Sequence, residues 1–378
     1  MMNPTNNSQL VDAIVDICNE VLFNNGNDYQ YLVLPELSLA DWKEFFNLAS
    51  IHGTLPIIMP VFESRQFDDE QLKEVVVDSY VVAQKYREKY RIRIQAMQEL
   101  AGMFAEKGLD VMFFKGAALA QLYPNPEWRV FSDIDFYLYG KWKEGIVVME
   151  EHGIANRPFW HHNTEADLYG ILLENHYDFI ERVNHKHHII LDDELKDLTN
   201  SEGHNYKASF LPATNKNVYV MAPTMNAIFL LRHMGAHFAS ETISIRMLYD
   251  WALFLKKHTK DVDWVRVLGL YEQSRLSMFA RMIQGILVSK MGIAIPNCPV
   301  EPLLGENTDL IWNSIIEGET PNPYKKNGLL YTLNEVRVFM RNRWKHQLVF
   351  PQESYTKLFF SYVFLHLRSI IQRWFHKA

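Results

Sequence analysis

One stretch constrains this chain more than any other. A short apolar run, Val111-Met112-Phe113-Phe114, leads straight into Lys115-Gly116-Ala117. Eighteen residues after the lysine, two aspartates one residue apart, Asp133 and Asp135, stand inside a second apolar run. Residues i and i+2 of a strand project to the same face. Two carboxylates on one face can hold a hard divalent cation, and a Lys-Gly turn opening a helix can hold phosphate. The combination points to metal-assisted chemistry on a nucleoside triphosphate.

An Asp-x-Asp pair alone is usually a solvated surface feature. Here Phe131, Ile134, Phe136 and Leu138 place it in a buried strand. Burying two carboxylates with no cation to balance them is strongly unfavourable. Gly116 would let the backbone approach phosphate oxygens closely, and Lys115 would add a mobile positive charge. Arg129, four residues before Asp133, has two readings: a phosphate clamp, or a structural partner for an acidic neighbour.

The surrounding pattern predicts helices before this stretch and after it. A helix is expected over about 78–107, where Tyr86, Tyr90, Ile94, Met97, Ala101 and Phe104 recur at steps of three and four, with Gly108 to end it. Strands are expected at 111–114, 133–138 and 185–191, with helices starting at Ala117 and spanning 143–152. From Thr224, read as a cap, the chain turns helical again over 225–238, 247–257 and, as one or two helices, 264–291, followed by a linker marked by Pro296, Pro299 and Pro302. We therefore expect an N-terminal helical region (1–97), an α/β core (98–220) and a C-terminal helical region (221–378). A chain of 378 residues is also too long for one simple core.

A net charge of -7 argues against nucleic acid as the partner. Only Cys18 and Cys298 are present, which gives no disulfide framework and fits a reducing compartment. The polar start, Met1 to Ser8, reads as no signal peptide, so a cytoplasmic protein is expected. The apolar stretch Leu358 to Leu365 is broken by His366 and Arg368 before it reaches the roughly 20 residues of a membrane span. We read it as a final docked helix and expect no transmembrane segment.

Histidines recur at 161, 162, 185, 187 and 188, but no cysteine pair or His-Glu-x-x-His pattern supports zinc there. His233 and His237, and likewise Arg246 and Asp250, stand at i, i+4 in a helical stretch. The first pair reads as core histidines and the second as a helix ion pair.

The segment Lys115-Gly116-Ala117-Ala118-Leu119, then Tyr123-Pro124-Asn125-Pro126, Arg129 and Ser132-Asp133-Ile134-Asp135, resembles the signature of a nucleotidyltransferase family within the polymerase-beta-like superfamily. The resemblance covers about residues 80–260. It implies an α+β chain: a minimal nucleotidyltransferase fold, a small mixed sheet with helices, flanked by helical regions. It also implies that Asp133 and Asp135 bind Mg²⁺ or Mn²⁺. Lys115, Gly116 and Ser132 would hold the triphosphate, with Arg129 nearby and His237 facing the cleft. The implied reaction moves a nucleoside monophosphate from an NTP such as ATP to an unidentified acceptor (small molecule, saccharide or protein), releasing pyrophosphate.

The family shows a third acid on a nearby strand, in the order acid, apolar residue, His. The stretch 188–195 looks like that strand, but Ile190 falls where the acid belongs. Asp192, or else Asp178, is then expected to serve as the third catalytic carboxylate. The same departure motivates the alternative: a catalytically degenerate relative acting as a nucleotide sensor or scaffold.

Overall fold

The computed structural model describes residues 4–24, 29–160, 162–182, 186–211, 217–318 and 329–360. Four helices come first: α1 (Pro4–Phe23), α2 (Leu39–Ile51), α3 (Leu55–Glu63) and α4 (Glu70–Glu106). Next come β1 (Val111–Phe114), α5 (Gly116–Ala120), β2 (Asp133–Tyr137), α6 (Trp142–Glu151), β3 (Asn156–Trp160), β4 (Asn163–Leu168), β5 (Ile171–His176), α7 (Ile189–Glu202) and β6 (Val218–Val220). The remainder is helical: α8 (Pro223–Ser240), α9 (Ile245–His258), α10 (Trp264–Gln273), α11 (Ser277–Ser289), α12 (Glu306–Glu317), α13 (Leu329–Arg341) and α14 (Arg343–Val349).

The expected α+β architecture is what the chain forms. The strands make one mixed sheet in the order β3-β4-β5-β2-β1-β6. β1 runs antiparallel to β2, with Phe114 opposite Asp135. β2 runs parallel to β5, with Asp135 opposite Glu174 and Tyr137 opposite His176.

Alternation along the strands divides their side chains between two cores. Val111, Phe113, Ile134, Phe136 and Val218 point to one face, where Met97, Leu100 and Phe104 of α4 and Val148 and Met149 of α6 cover them. Met112, Phe114, Tyr137 and Tyr219 point to the other, into a core that also holds α8, α9 and the N-terminal helices. Asp133 and Asp135 belong to this second face by the same two-residue repeat.

α4 serves both cores. It begins where Asp69 accepts from the backbone N–H of Gln71 at 2.8 Å and Leu72 at 3.2 Å, and it ends at Gly108, whose φ of +66° suits glycine. Its early turns bury Val76 and Ala83 in the helical core, and its late turns bury Ala96 to Phe104 under the sheet. One 37-residue helix thus runs through the 97/98 position.

Two local expectations need correction, and one feature was missed. Residues 186–191 are not a strand: Lys186–His188 form a 3-10 turn, and α7 starts at Ile189. Asp192 and Asp193 near its start favour a helix N-terminus. Thr224 does not cap α8. Pro223 occupies its first turn, while the Thr224 hydroxyl accepts from Asp263 N at 3.1 Å. The strands over 156–176 were not expected at all. Their signal is a two-residue hairpin turn, Tyr169-Gly170, with φ of 58° and 73°, between Thr164-x-Ala166-x-Leu168 and Ile171-x-Leu173.

The final stretch, 361–378, lies outside the described residues, as do His161 and His185. Among the described residues no helix is long and apolar enough to cross a membrane.

Candidate active site

The sheet's second face and the helices α8 and α9 enclose a cleft of about 610 Å³. That is within the roughly 300–1,000 Å³ of small-molecule sites. Lys115, Gly116, Arg129, Ser132 and Asp133 line it, together with Glu174 and His176, Arg232, His233 and His237 from α8, and Arg246 from α9. His237 therefore does face the cleft.

β2 and β5, side by side in register, build the centre. Asp135, Glu174 and His176 bring their ligand atoms within 4.8 Å of one another. His176 Nε2 lies 3.1 Å from Asp135 Oδ1 and 3.3 Å from Glu174 Oε2. Lys115 Nζ donates to Asp135 Oδ1 at 2.5 Å. The other carboxylate oxygen, Asp135 Oδ2, is buried with no hydrogen-bond partner among the described residues. Two carboxylates, a histidine and an orphaned buried oxygen form a donor set that suits a small divalent cation. Asp133 stands outside the 4.8 Å group, one pleat nearer the Gly116 end of the strand.

The charges interlock. Burial, then the charge of Asp135, pushes the Asp133 carboxyl up, with Lys115 opposing. Burial would raise Glu174 too, but the His176 hydrogen bond and the Lys115 charge bring it down to about 2. Burial works against charge on His176, yet its bonds to Asp135 and Glu174 raise it. Burial likewise opposes charge on Lys115, and Asp135, Glu174 and Asp133 outweigh it. Farther out, burial and then neighbouring cations hold His237 down to about 4 and keep it neutral.

Lys115 is also strained. Its φ of 54° and ψ of -133° form a conformation that glycine ordinarily occupies. Such strain, on the order of 1–3 kcal/mol, concentrates at functional positions. It sends the chain from β1 into α5 while the amine turns back to Asp135. Gly116 is small for a packing reason as well: a Cβ there would lie 2.9 Å from Phe131 Cδ2. Ser132 is exposed on the loop entering β2, and its carbonyl accepts from Arg93 Nε at 3.3 Å.

Arg129 is 4% exposed and forms a two-pronged pair with Asp250 of α9, Nε to Oδ1 at 2.7 Å and Nη2 to Oδ2 at 2.8 Å. Its Nη1 donates to Gly116 O at 3.0 Å. Tyr123 and Arg246 also donate to Asp250, at 2.8 and 3.0 Å. The Arg246–Asp250 pair expected on one helix is thus one side of a larger buried cluster that ties the Gly116 turn to α9.

Asp192 and Asp178 sit elsewhere. Asp192 is fully buried near the start of α7, where it accepts from the backbone N–H of Phe179 at 2.7 Å and Ile180 at 3.1 Å and pairs with Arg182 and Lys196. Asp178 pairs with Lys196. The acid beside Asp135 is Glu174, which sequence reasoning missed. Its signal was Glu174-Asn175-His176, the acid-x-His order with Asn in the apolar place. His187 is exposed, and His188 is buried against Ser274 and Arg232.

No curated protein and no solved structure matches the chain. A family model described as an uncharacterised nucleotidyltransferase matches residues 38–288, a span that includes every strand of the sheet and every residue lining the cleft. The match spans well over half of the sequence, and the chain belongs to this nucleotidyltransferase family.

Proposed function

We propose that this chain transfers a nucleoside monophosphate from an NTP to an acceptor, with release of pyrophosphate. One observation carries the reading: Asp133 and Asp135 on β2 and Glu174 on β5 share one face, in register, with Asp133 and Glu174 lining a cleft beside the Lys115-Gly116 turn and Asp135 buried between them and Lys115. The unit that performs the transfer is the 98–220 core, and α8 and α9 supply the far wall.

Asp133, Asp135 and Glu174, with His176, would hold Mg²⁺ or Mn²⁺, and bound metal would neutralise charge on the phosphates. Lys115, Gly116 and Ser132 line the part of the cleft assigned to the triphosphate. Arg129 acts through Gly116 O, fixing the turn from behind. An acceptor oxygen would bond to the α-phosphorus, the bond from that phosphorus to the β-phosphate oxygen would break, and pyrophosphate would leave. A proton from an acceptor hydroxyl would pass to water. A carboxyl held near 2 is ionised and weakly basic, so Glu174 is suited to ligating and orienting rather than to taking that proton. Glu174 takes the place that sequence reasoning gave to Asp192, whose carboxylate is already occupied.

The test is NTP binding with Mg²⁺ or Mn²⁺, measured for each of the four NTPs, with pyrophosphate release followed in a small-molecule extract. Asp135→Asn and Glu174→Gln should abolish release. Metal-dependent binding with no release from any extract would favour the sensor reading. Neither binding nor release would refute the proposal.

A further inference from the structure

Four cations line the cleft among the described residues: Lys115, Arg129, Arg232 and Arg246. Lys115 is paired with Asp135, and Arg129 and Arg246 share Asp250. Arg232 has no such partner. It is 7% exposed, on α8, and forms no ion pair with any described residue.

It is nonetheless held in place. Arg232 Nε donates to His188 Nδ1 at 3.1 Å, and His188 Nε2 lies 3.1 Å from the Ser274 carbonyl. A carbonyl only accepts, so Nε2 of His188 donates to Ser274 and Nδ1 accepts from Arg232. The Phe350 ring lies 5.6 Å from the guanidinium carbon. The two terminal nitrogens make no hydrogen bond among the described residues. Glu181, Glu353 and Asp192 act on the group only from beyond ion-pair distance, and burial lowers its basicity to about 10, so it stays charged at neutral pH. A buried guanidinium without a counter-ion is destabilising unless an anion joins it. Its fork matches a phosphate or carboxylate group.

Register locates this group. Because β1 is antiparallel to β2, the Gly116 turn lies at the Asp133 end of the floor, with Arg246 and Arg129. His176 pairs with Tyr137, at the other end. The chain after His176 runs into Phe179 and Ile180, whose N–H groups bond Asp192 of α7, and α7 starts directly after His188, the residue that holds Arg232. Arg232 therefore belongs to the end of the cleft away from the triphosphate turn.

We propose that Arg232 anchors the acceptor, and that the acceptor carries a phosphate or carboxylate group. This rests on the nucleotidyl-transfer reading and narrows its substrate to anionic molecules. The transfer is as written above: the acceptor oxygen gains the α-phosphorus and pyrophosphate departs.

The experiment uses the full chain with Mg²⁺ and a non-hydrolysable ATP analogue, titrated with inorganic phosphate and, separately, with acetate. One of the two anions should bind beside the analogue, and the tighter one identifies the acceptor's group. Arg232→Gln should weaken that anion by about tenfold or more, with analogue affinity changed by less than about threefold. Arg232→Lys, which keeps the charge but loses the fork, should fall between. Equal anion binding by wild type and Arg232→Gln overturns the proposal. So does loss of analogue and anion together, which would assign Arg232 to the triphosphate. If the analogue never binds but the anion still depends on Arg232, the transfer reading fails and the acceptor assignment fails with it, leaving an anion site. Should Arg232→Gln not fold, wild-type crystals soaked with selenate decide: anomalous density at the Arg232 guanidinium is expected, and density only elsewhere overturns the proposal.

Discussion

Replacing Asp250 by alanine tests whether the turn and α9 are coupled as described. The carboxylate accepts four hydrogen bonds, two from Arg129 and one each from Tyr123 and Arg246. Tyr123 has a second acceptor, Arg246 O, at 3.5 Å. The Arg246 side chain is 21% exposed and can be rehydrated from the cleft. Arg129 has neither escape, because its side chain is 4% exposed and only Gly116 O remains to it. Breaking one partner of such a buried pair costs about 3–5 kcal/mol, most of it from the stranded charge. Asp250→Ala should therefore lower the urea midpoint by that equivalent, read by circular dichroism and by the fluorescence of buried Trp251. Arg129→Met combined with Asp250→Ala should recover much of the loss, giving a coupling of about 2 kcal/mol or more in a double-mutant cycle with the two single variants. The Asp250→Ala variant should also bind the ATP analogue less tightly, because Arg129 no longer steadies Gly116. A cost below about 1 kcal/mol for Asp250→Ala, or a coupling near zero, would refute this account.

Glu174→Gln should weaken Mn²⁺ binding about tenfold or more by electron paramagnetic resonance, whereas Asp192→Asn should lower stability and leave metal affinity nearly unchanged. Gly285→Ala should destabilise by roughly 2–3 kcal/mol, since its Cβ would lie 2.1 Å from the Leu303 carbonyl oxygen, which is backbone and cannot swing aside. Gly102→Ala, with nothing within 4 Å of its Cβ, should instead stabilise α4 by up to about 1 kcal/mol, and paired thermal melts would show both. Burial holds His52, 2% exposed with Nε2 unpartnered, down to about 4 against an ordinary 6.5. The unfolded chain takes up that proton first, so stability should fall as pH drops from 6.5 toward 4, by about 3 kcal/mol for this residue. Urea midpoints across that range should be flatter for His52→Leu, and an unchanged slope would exclude the residue as the cause.

The parts of the site carried by local pattern were legible. Val111–Phe114, the Lys115-Gly116 turn and the Asp133 strand announced themselves through apolar runs and a two-residue repeat. Glu174 was not found, because its strand is a six-residue segment whose partner in function lies 39 residues away and whose alternation is masked by the run Ile171-Leu172-Leu173. Only the pairing of β5 with β2 makes that acid a neighbour of Asp135. The stretch 186–195 misled for the opposite reason: Ile189-Ile190-Leu191 is short and apolar enough for a strand, and tertiary packing of Leu191, Leu195 and Leu198 made it helical. Arg129 had two physically sound readings, and nothing in the sequence near it indicated Asp250, 121 positions on.

The two rims of the sheet differ from its middle in a way that bears on how the protein behaves when concentrated. The outer strand β3 contains Pro158, which has no N–H to offer, and its pairing with β4 slips between Arg157 and Trp160. The opposite rim, β6, is three residues long and already bridged by Lys207. Among the described residues neither side presents a long ladder of open donors and acceptors on which another molecule's strand could be laid. Among the described residues the sheet therefore offers little purchase for the edge-to-edge pairing that begins many fibrils.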